Sequence, residues 1–86
     1  RDVLWIEASD IYTLLCTSQA KHLLNTSLKS VEEKFPTDFF IRVHRSYIIQ
    51  LEKIDAIEDD EILIAQQRIP IGKTYRDKLM QRINTL

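Results

Sequence analysis

Residues 39–50 (FFIRVHRSYIIQ) contain three adjacent side chains that can contact a phosphate or the edge of a base. These side chains are His44, Arg45 and Ser46. Aromatic and β-branched residues flank them on both sides, which favours two strands with a loop between them. A loop held between two strands can present such side chains in a fixed orientation, as recognition requires. The alternative is a solvated turn with ordinary surface charges, because charged turns are common.

The C-terminal segment, residues 73–86, offers a second group that can contact phosphate. Its apolar residues recur at helical spacing and predict an amphipathic helix whose apolar stripe covers a sheet. The stripe consists of Tyr75, Leu79, Ile83 and Leu86. The first turn of such a helix leaves backbone N–H groups without partners, so Gly72, Lys73 and Thr74 form a natural phosphate contact. Arg76 adds a positive charge nearby.

Patterns that would indicate catalysis or metal binding are absent from the sequence. A single glycine excludes a Gly-rich phosphate loop, and neither H-E-x-x-H nor C-x-x-C spacing occurs. His22 and His44 are too isolated in the sequence to indicate a metal site. A Ser27 or Ser46 nucleophile would need a base and an oxyanion hole that nothing in the pattern supplies. We therefore expect no enzymatic activity, no metal and no cofactor. The only cysteine, Cys16, lies in an apolar run, which predicts a buried thiol.

Charge is distributed unevenly along the chain. The net charge of −1 speaks against a nucleic-acid binder, but the charged residues of segment 52–61 are mostly acidic and those of segment 68–82 are mostly basic. If the acidic segment is a hairpin that points away, the basic segment can form one basic face with Arg42 and Arg45. The alternative for the acidic segment is a solvated turn without further significance.

The length of 86 residues fits a single domain with one modest core. No apolar run approaches the roughly 20 residues that a membrane-spanning helix needs, and no signal-peptide pattern opens the chain. We therefore expect a soluble, cytoplasmic protein. An apolar strand that starts almost at residue 1 suggests a piece cut from a longer polypeptide.

The periodicity of apolar residues predicts a mainly β protein with little helix. Strands are expected at residues 3–6, 11–17, 21–25, 39–43, 47–50, 54–58, 62–65 and 68–71, with turns at residues 7–10, 18–20, 51–53, 59–60 and 66–67. A short helix begins at a cap on Thr26 or Ser27 and ends before Pro36. Pro70 favours an edge position for the last strand. The expected core consists of Trp5, Ile6, Leu14, Leu28, Phe40, Val43, Ile48, Ile54, Ile64, Leu79 and Ile83.

Four motifs, in this order, resemble the LytTR family of DNA-binding domains: DVLWIEASDIY, SLKSVEEKFP, FFIRVHRSYIIQLEKI and RIPIGKTYRDKL. They cover almost the whole chain, so the resemblance is specific. It implies a mostly β domain of short antiparallel sheets, with one short helix between strands and a C-terminal amphipathic helix. Such a domain is usually the C-terminal effector half of a bacterial two-component response regulator, so an N-terminal receiver domain is expected outside residues 1–86. It implies a piece of a transcription factor that reads direct-repeat sites in double-stranded DNA through loops in successive major grooves, often as a homodimer.

The resemblance also assigns roles to residues. The family's H-x-S-[FY] loop matches residues 44–47, with Arg45 at the variable position that contacts a base. The loop ahead of the final helix matches residues 72–74, and the E-A-x-x-x-Y element matches residues 7–12. The candidate DNA-binding residues are therefore Tyr12, His44, Arg45, Ser46, Lys73, Thr74 and Arg76.

This sequence departs from the family pattern at two points. Family members usually carry an additional strand before the D-[IV]-L-[WY]-I-E motif, and this sequence lacks it, which would affect stability and one sheet edge. Asn is common where this chain has Gln50, at a position expected to be structural.

Two functions from different classes remain open on these grounds. One is sequence-specific binding of double-stranded DNA. The other is a small protein-interaction module whose exposed edge strand, near residues 68–71, pairs with a partner. Binding to duplex DNA that weakens steeply with salt would support the first function, because displaced counterions report phosphate contacts.

Overall fold

The computed structural model describes residues 2–85, which form eight strands, two α-helices and one 3₁₀ turn. In chain order the elements are β1 (Val3–Ser9), β2 (Tyr12–Thr17), β3 (Lys21–Leu24), α1 (Leu28–Lys34), β4 (Phe40–His44), β5 (Tyr47–Gln50), the 3₁₀ turn (Leu51–Lys53), β6 (Ala56–Glu58), β7 (Glu61–Ile64), β8 (Gln67–Pro70) and α2 (Lys73–Asn84). The mainly β fold with a short helix between strands and a C-terminal helix is the one that the sequence predicts.

The strands form two antiparallel sheets. One sheet has five strands in the order β3-β2-β1-β5-β4, and the other has three in the order β6-β7-β8. Antiparallel neighbours can be joined by short turns, which suits the brief polar segments between the apolar runs. The buried side-chain amide of Gln50 donates to the backbone oxygen of Val3 and joins β5 to the start of β1, a structural role as expected. Strand β8, which contains Pro70, lies at an edge, as predicted.

Side chains alternate between the two faces of the five-stranded sheet, and each face packs against a different layer. On one face, Ile6 and Ile48 pack against Leu28 of α1. On the other face, Trp5 belongs to a larger cluster that includes buried residues of the three-stranded sheet and Leu79 of α2. The five-stranded sheet is therefore a central layer, with α1 on one side and the smaller sheet and α2 on the other.

Most of the predicted core residues are buried, while Leu14, Ile54 and Ile83 are only partly buried. These three residues are partly buried and pack against the larger cluster. Each lies where the covering layers end: in a strand next to the edge strand, in the connection before β6 and in the last turn of α2. The predicted stripe residue Leu86 lies outside the described residues.

Two turns differ from the sequence prediction. Strand β1 continues through residues 7–9, which were expected to turn, so only Asp10 and Ile11 separate β1 from β2. Asp10 has a φ of 54°, a left-handed conformation that Asp tolerates better than most residues and that suits tight reversals. The last hairpin turn is shifted one residue towards the N-terminus, onto Ala65 and Gln66, whose φ values of 48° and 68° are both positive.

The helices begin and end close to where the sequence predicts. The Ser27 hydroxyl accepts a hydrogen bond from the Ser30 backbone N–H at 3.1 Å, which caps α1. Helix α1 ends at Lys34, two residues before Pro36. Within residues 2–85, neither helix is long and apolar enough to cross a membrane.

The buried thiol predicted for Cys16 is confirmed. Its Sγ lies 3.7 Å from Oε1 of Glu7, which also accepts a hydrogen bond from the Trp5 indole at 2.8 Å. Burial, together with the Glu7 carboxylate, raises the pKa of the Cys16 thiol to about 11. The thiol is therefore protonated at neutral pH and is a poor nucleophile.

Candidate nucleic-acid interface

The sheet topology brings three candidate segments to one end of the five-stranded sheet. Strands β1 and β4 are both antiparallel to β5, so the turn after β1 and the loop after β4 lie at the same end. The backbone N–H of Ala8 donates to the Ser46 oxygen at 2.9 Å, which joins the two directly. The two turns are about 10 Å apart, since neighbouring strands are spaced by about 4.8 Å. The residues predicted for DNA contact on β2 and between β4 and β5 are thus neighbours.

The head of α2 joins the same end of the sheet through Gly72. Its backbone N–H donates to the Val43 oxygen at 2.8 Å, beside the end of β4. A Cβ on Gly72 would lie 3.0 Å from a ring carbon of Tyr75 and 3.6 Å from Cα of His44. A side chain at this position would therefore press on the Tyr75 ring, and glycine avoids this contact. The hydrogen bond from Gly72 to Val43 brings Lys73, the first residue of α2, next to the loop after β4.

The loop formed by residues 44–46, here called the recognition loop, is braced by its own side chain. Nδ1 of His44 accepts a hydrogen bond from the Ser46 backbone N–H at 3.0 Å. The His44 ring also packs edge-on against Tyr47, with ring centroids 5.7 Å apart. His44 is half-buried, whereas Arg45 at the tip of the loop is exposed. His44, the histidine of the motif, therefore fixes the loop, and Arg45 is the side chain that the loop presents to solvent.

Arg42 is oriented towards α1 and the recognition loop, and not towards an exposed basic face. Its Nε donates to the His44 oxygen at 3.2 Å, and its Nη2 donates to the Arg45 oxygen at 2.5 Å. Its Nη1 forms an ion pair with Glu32 of α1 at 2.9 Å. The expectation that Arg42 joins an exposed basic face is wrong. Alternation along β4 directs its side chain to the face that α1 covers, and only 17% of the side chain is exposed.

The acidic hairpin does not point away from α2, contrary to the expectation from charge distribution. Arg76 donates to the Asp59 backbone oxygen at 2.7 Å and lies 3.4 Å from the Asp60 carboxylate. Arg68 pairs with Glu58 at 2.9 Å and with Glu61 at 3.3 Å. The hairpin therefore neutralises part of the basic segment, because its tip packs against the first turns of α2.

Arg82, near the end of α2, is also held by other parts of the chain. It donates to the backbone oxygens of Thr37 and Asp38, at 2.7 and 3.1 Å. By contrast, Arg45 and Lys73 form no ion pair with any partner in residues 2–85. Both are exposed at the end of the sheet where the loops meet. Within that part of the chain, these two cations are available to a ligand.

A family model for the LytTr DNA-binding domain matches residues 1–84. The chain belongs to the LytTr DNA-binding domain family. The resemblance inferred from the four sequence motifs is thereby confirmed. LytTr domains bind DNA in the regulation of transcription, and this is the general activity of the domain described here.

A solved LytTr DNA-binding domain from Bacillus cereus has the same fold, with a TM-score of 0.89 and 27% identity over 95% of this chain and 81% of that chain. Sensory transduction protein LytT of Bacillus subtilis is 26% identical over 98% of this chain. The CO-responsive transcriptional regulator RcoM of Rhodospirillum rubrum is 30% identical over 90% of this chain. These matches cover 37% and 36% of the two curated relatives, so the chain spans about a third of their length.

Tyr12 and its neighbour Ile11 form an exposed turn at this end of the LytTr domain. Tyr12 is 50% exposed and its neighbour Ile11 is 89% exposed. An open cavity of about 660 Å³ lies between this turn and the loop after β3, and Asn25 and Thr26 line it together with Asp10. The sequence motifs do not identify Asn25 and Thr26. The antiparallel pairing of β2 with β3 could have indicated them, since it returns the chain to the same end of the sheet.

Proposed function

We propose that this LytTr domain binds double-stranded DNA in a sequence-specific manner through the end of the sheet where residues 10–12, 44–46 and 72–74 meet. The observation that carries the proposal is the pair of exposed cations, Arg45 and Lys73, on two segments joined by the Gly72–Val43 hydrogen bond of 2.8 Å. An α2 head and a rigid loop at one end of a sheet can contact a phosphate and a base edge together.

Arg45 is the proposed base-reading residue. Its guanidinium can donate two parallel hydrogen bonds to O6 and N7 of guanine in the major groove. The bracing of residues 44–46 by His44 supports this role, because a fixed backbone lowers the cost of ordering the side chain on binding. His44 contributes mainly by fixing the loop, and Ser46 offers a hydroxyl beside it.

Lys73 and Thr74 are the proposed phosphate contacts, because they lie in the first turn of α2 where backbone N–H groups lack intrahelical partners. Tyr12 contacts the DNA from the neighbouring turn. Arg76 contributes less to DNA binding than these residues, because its guanidinium is already bonded to the acidic hairpin. From β2 to β4 the row covers three strand spacings, or about 14 Å, and the head of α2 is bonded to the end of β4. A major groove is about 12 Å wide, so the ends of the row reach flanking phosphates or the next groove.

The proposed context is transcriptional control by a longer, two-component response regulator in the cytoplasm. The name of the Bacillus subtilis relative, a sensory transduction protein, supports a regulatory role, and its greater length leaves room for a receiver domain. We infer binding as a homodimer to direct-repeat sites, since a second copy on an adjacent repeat would double the small contact area of one domain.

Selection of bound sites from a random pool of duplexes tests this proposal. We expect a consensus with guanine at one or more positions and an affinity that falls steeply with added salt, as released counterions require. A mixing experiment with two adjacent repeats, followed by measurement of the mass of the complex, tests the dimer. Binding that is weak, independent of sequence and insensitive to salt would contradict the proposal.

The second candidate is pairing of a peptide with the edge strand β8. Its edge position and the exposure of Gln67 and Arg68 favour it. Pro70 and the two ion pairs of Arg68 oppose it, since proline removes a donor and charges deter strand addition. A salt-insensitive interaction with an extended peptide, without DNA binding, would support this candidate.

A further inference from the structure

Arg42 contacts the backbone of the recognition loop at two consecutive residues, and its own side chain is mostly buried. It donates to the backbone oxygens of His44 and Arg45, at 3.2 and 2.5 Å. The third donor, Nη1, is held by Glu32 of α1 at 2.9 Å. One guanidinium thus ties two consecutive carbonyls of the loop to a helix on the opposite side of the strand from the larger core cluster.

The charge-assisted hydrogen bonds at Arg42 act on the residues that set the direction of the Arg45 side chain. Hydrogen bonds that involve a charged donor are shorter than neutral ones and roughly twice as strong. The Ser46 N–H is bonded to His44 on the other side of the same loop at 3.0 Å. Together these contacts restrain the backbone of residues 44–46, while the Arg45 side chain stays exposed.

We propose that Arg42 is a positioning residue for DNA recognition and that Glu32 holds Arg42 in place. This inference rests on the proposed function of Arg45 as the residue that reads a base. Arg42 acts through the loop backbone and does not contact DNA. A base-reading side chain has to be held close to its productive geometry, so support beneath the loop determines selectivity more than overall affinity.

The structure offers a matched control for Arg42 in Arg82, which also donates to two consecutive backbone oxygens, those of Thr37 and Asp38. Arg82 lies near the far end of the 12-residue helix α2, away from Lys73. Replacement of either arginine by glutamine removes one charge and one guanidinium. Only Arg42→Gln should reduce the ratio of specific to non-specific DNA affinity, by about tenfold, the loss expected for one misplaced base contact.

Glu32 and its neighbour Glu33 provide a second matched pair, because both are exposed acids of α1 and only Glu32 pairs with Arg42. Removal of an acid near DNA should raise affinity for all sequences if electrostatics alone matters. Electrostatics alone would leave the ratio of specific to non-specific affinity unchanged, whereas positioning predicts that Glu32→Ala lowers this ratio. Glu33→Ala should leave that ratio unchanged.

A measurement without DNA separates failure of this inference from failure of the proposed function. The exchange rate of the Ser46 amide in the free protein should rise in Arg42→Gln and remain unchanged in Arg82→Gln. If that rise occurs in a protein that does not bind DNA, the result supports positioning of the loop by Arg42 and contradicts the proposed DNA-binding function. If DNA binding is specific but neither the Ser46 exchange nor the affinity ratio responds to Arg42→Gln, the inference is overturned. An equal loss for all sequences, with unchanged exchange, makes Arg42 a phosphate contact and overturns it as well.

Discussion

The recognition loop and the turn between β1 and β2 lie at the same end of the sheet but are held in different ways. In the recognition loop, the Arg42 side chain donates to the carbonyl oxygens of His44 and Arg45, and the Ser46 N–H donates to the His44 ring. In the β1–β2 turn, Ile11 is 89% exposed and Tyr12 is 50% exposed. Within residues 2–85, no side-chain hydrogen bond reaches either of them.

The difference suggests a division of labour across one interface. A braced loop can hold a side chain in the orientation that a base edge demands, because little freedom remains to be lost on binding. An open turn can adapt to a phosphate backbone, which offers charge in many positions and less geometric specificity. We therefore expect the recognition loop to contact a base and the turn between β1 and β2 to contact the phosphate backbone.

The largest expected effect is on stability and concerns the core beneath α2, the helix whose head is bonded to the end of β4. Leu79 is fully buried between α2 and the sheets. Leu79→Ala should lower the free energy of unfolding by about 2–5 kcal/mol, because it leaves a cavity at this position. Denaturant unfolding measures the change. Gln81→Ala, at an exposed position of the same helix, is the control. A change below about 0.5 kcal/mol for Leu79→Ala would show that α2 is loosely attached.

The next largest effect is expected at Arg45, where a substitution can distinguish recognition of a base from electrostatic attraction to DNA. Arg45→Lys keeps the positive charge but removes the planar fork, so specific binding should weaken by about 1–3 kcal/mol. Affinity for random duplexes should barely change. Titration of both duplexes at one salt concentration measures the two effects. If they fall equally, Arg45 is a phosphate contact, and reading must be assigned to the turn with Tyr12 or to the head of α2.

A smaller effect is expected at Lys73, whose role is to position the domain. Lys73→Ala should weaken binding to specific and random duplexes by similar factors, and the slope of affinity against salt should drop by about one. Affinities at several salt concentrations give the slope. Lys34→Ala, at the exposed end of α1, is the control and should leave the slope as it is. Unchanged binding of Lys73→Ala at low salt would remove this residue from the interface.

The smallest effect should come from the open turn. Ile11→Ser should change the free energy of unfolding by less than about 0.5 kcal/mol, as surface substitutions usually do, and Tyr12→Ala should reduce specific binding less than Arg45→Lys does. Unfolding and DNA titrations of both variants measure these changes. A loss at Tyr12 greater than that at Arg45 would reverse the division of labour between the two loops.

The sequence predicts the fold well where local patterns are strong. The eight strands, the Ser27 cap, the end of α1 before Pro36 and the edge position of β8 follow from period, capping and proline chemistry. The prediction is wrong for residues 7–9, because their polar composition suggests a turn. In the folded protein they pair with β2, and the carboxylate of Glu7 finds donors inside the sheet.

The candidate site is only partly contained in the sequence. The motifs identify the loops around Tyr12, Arg45 and Lys73, and the sheet brings these loops to one end. None of the binding roles assigned to these residues is tested by the fold alone, so they stay predictions. The sequence indicates Gly72 only as a backbone N–H donor, whereas the packing shows that a side chain at this position would press on the Tyr75 ring.

The sequence by itself determined the number of strands and helices, the apolar faces and the family, because these depend on neighbours a few residues apart. Only the tertiary structure decided which basic residues remain free. Arg42, Arg68 and Arg76 look like Arg45 in the sequence, but each is engaged by acids or carbonyls. Their acidic partners are 7 to 16 residues away in the sequence, and the backbone oxygens that they bond are two, three and 17 residues away. Charge alone does not specify such partners, because ion pairs and hydrogen bonds form only where packing has already brought the groups within about 3 Å.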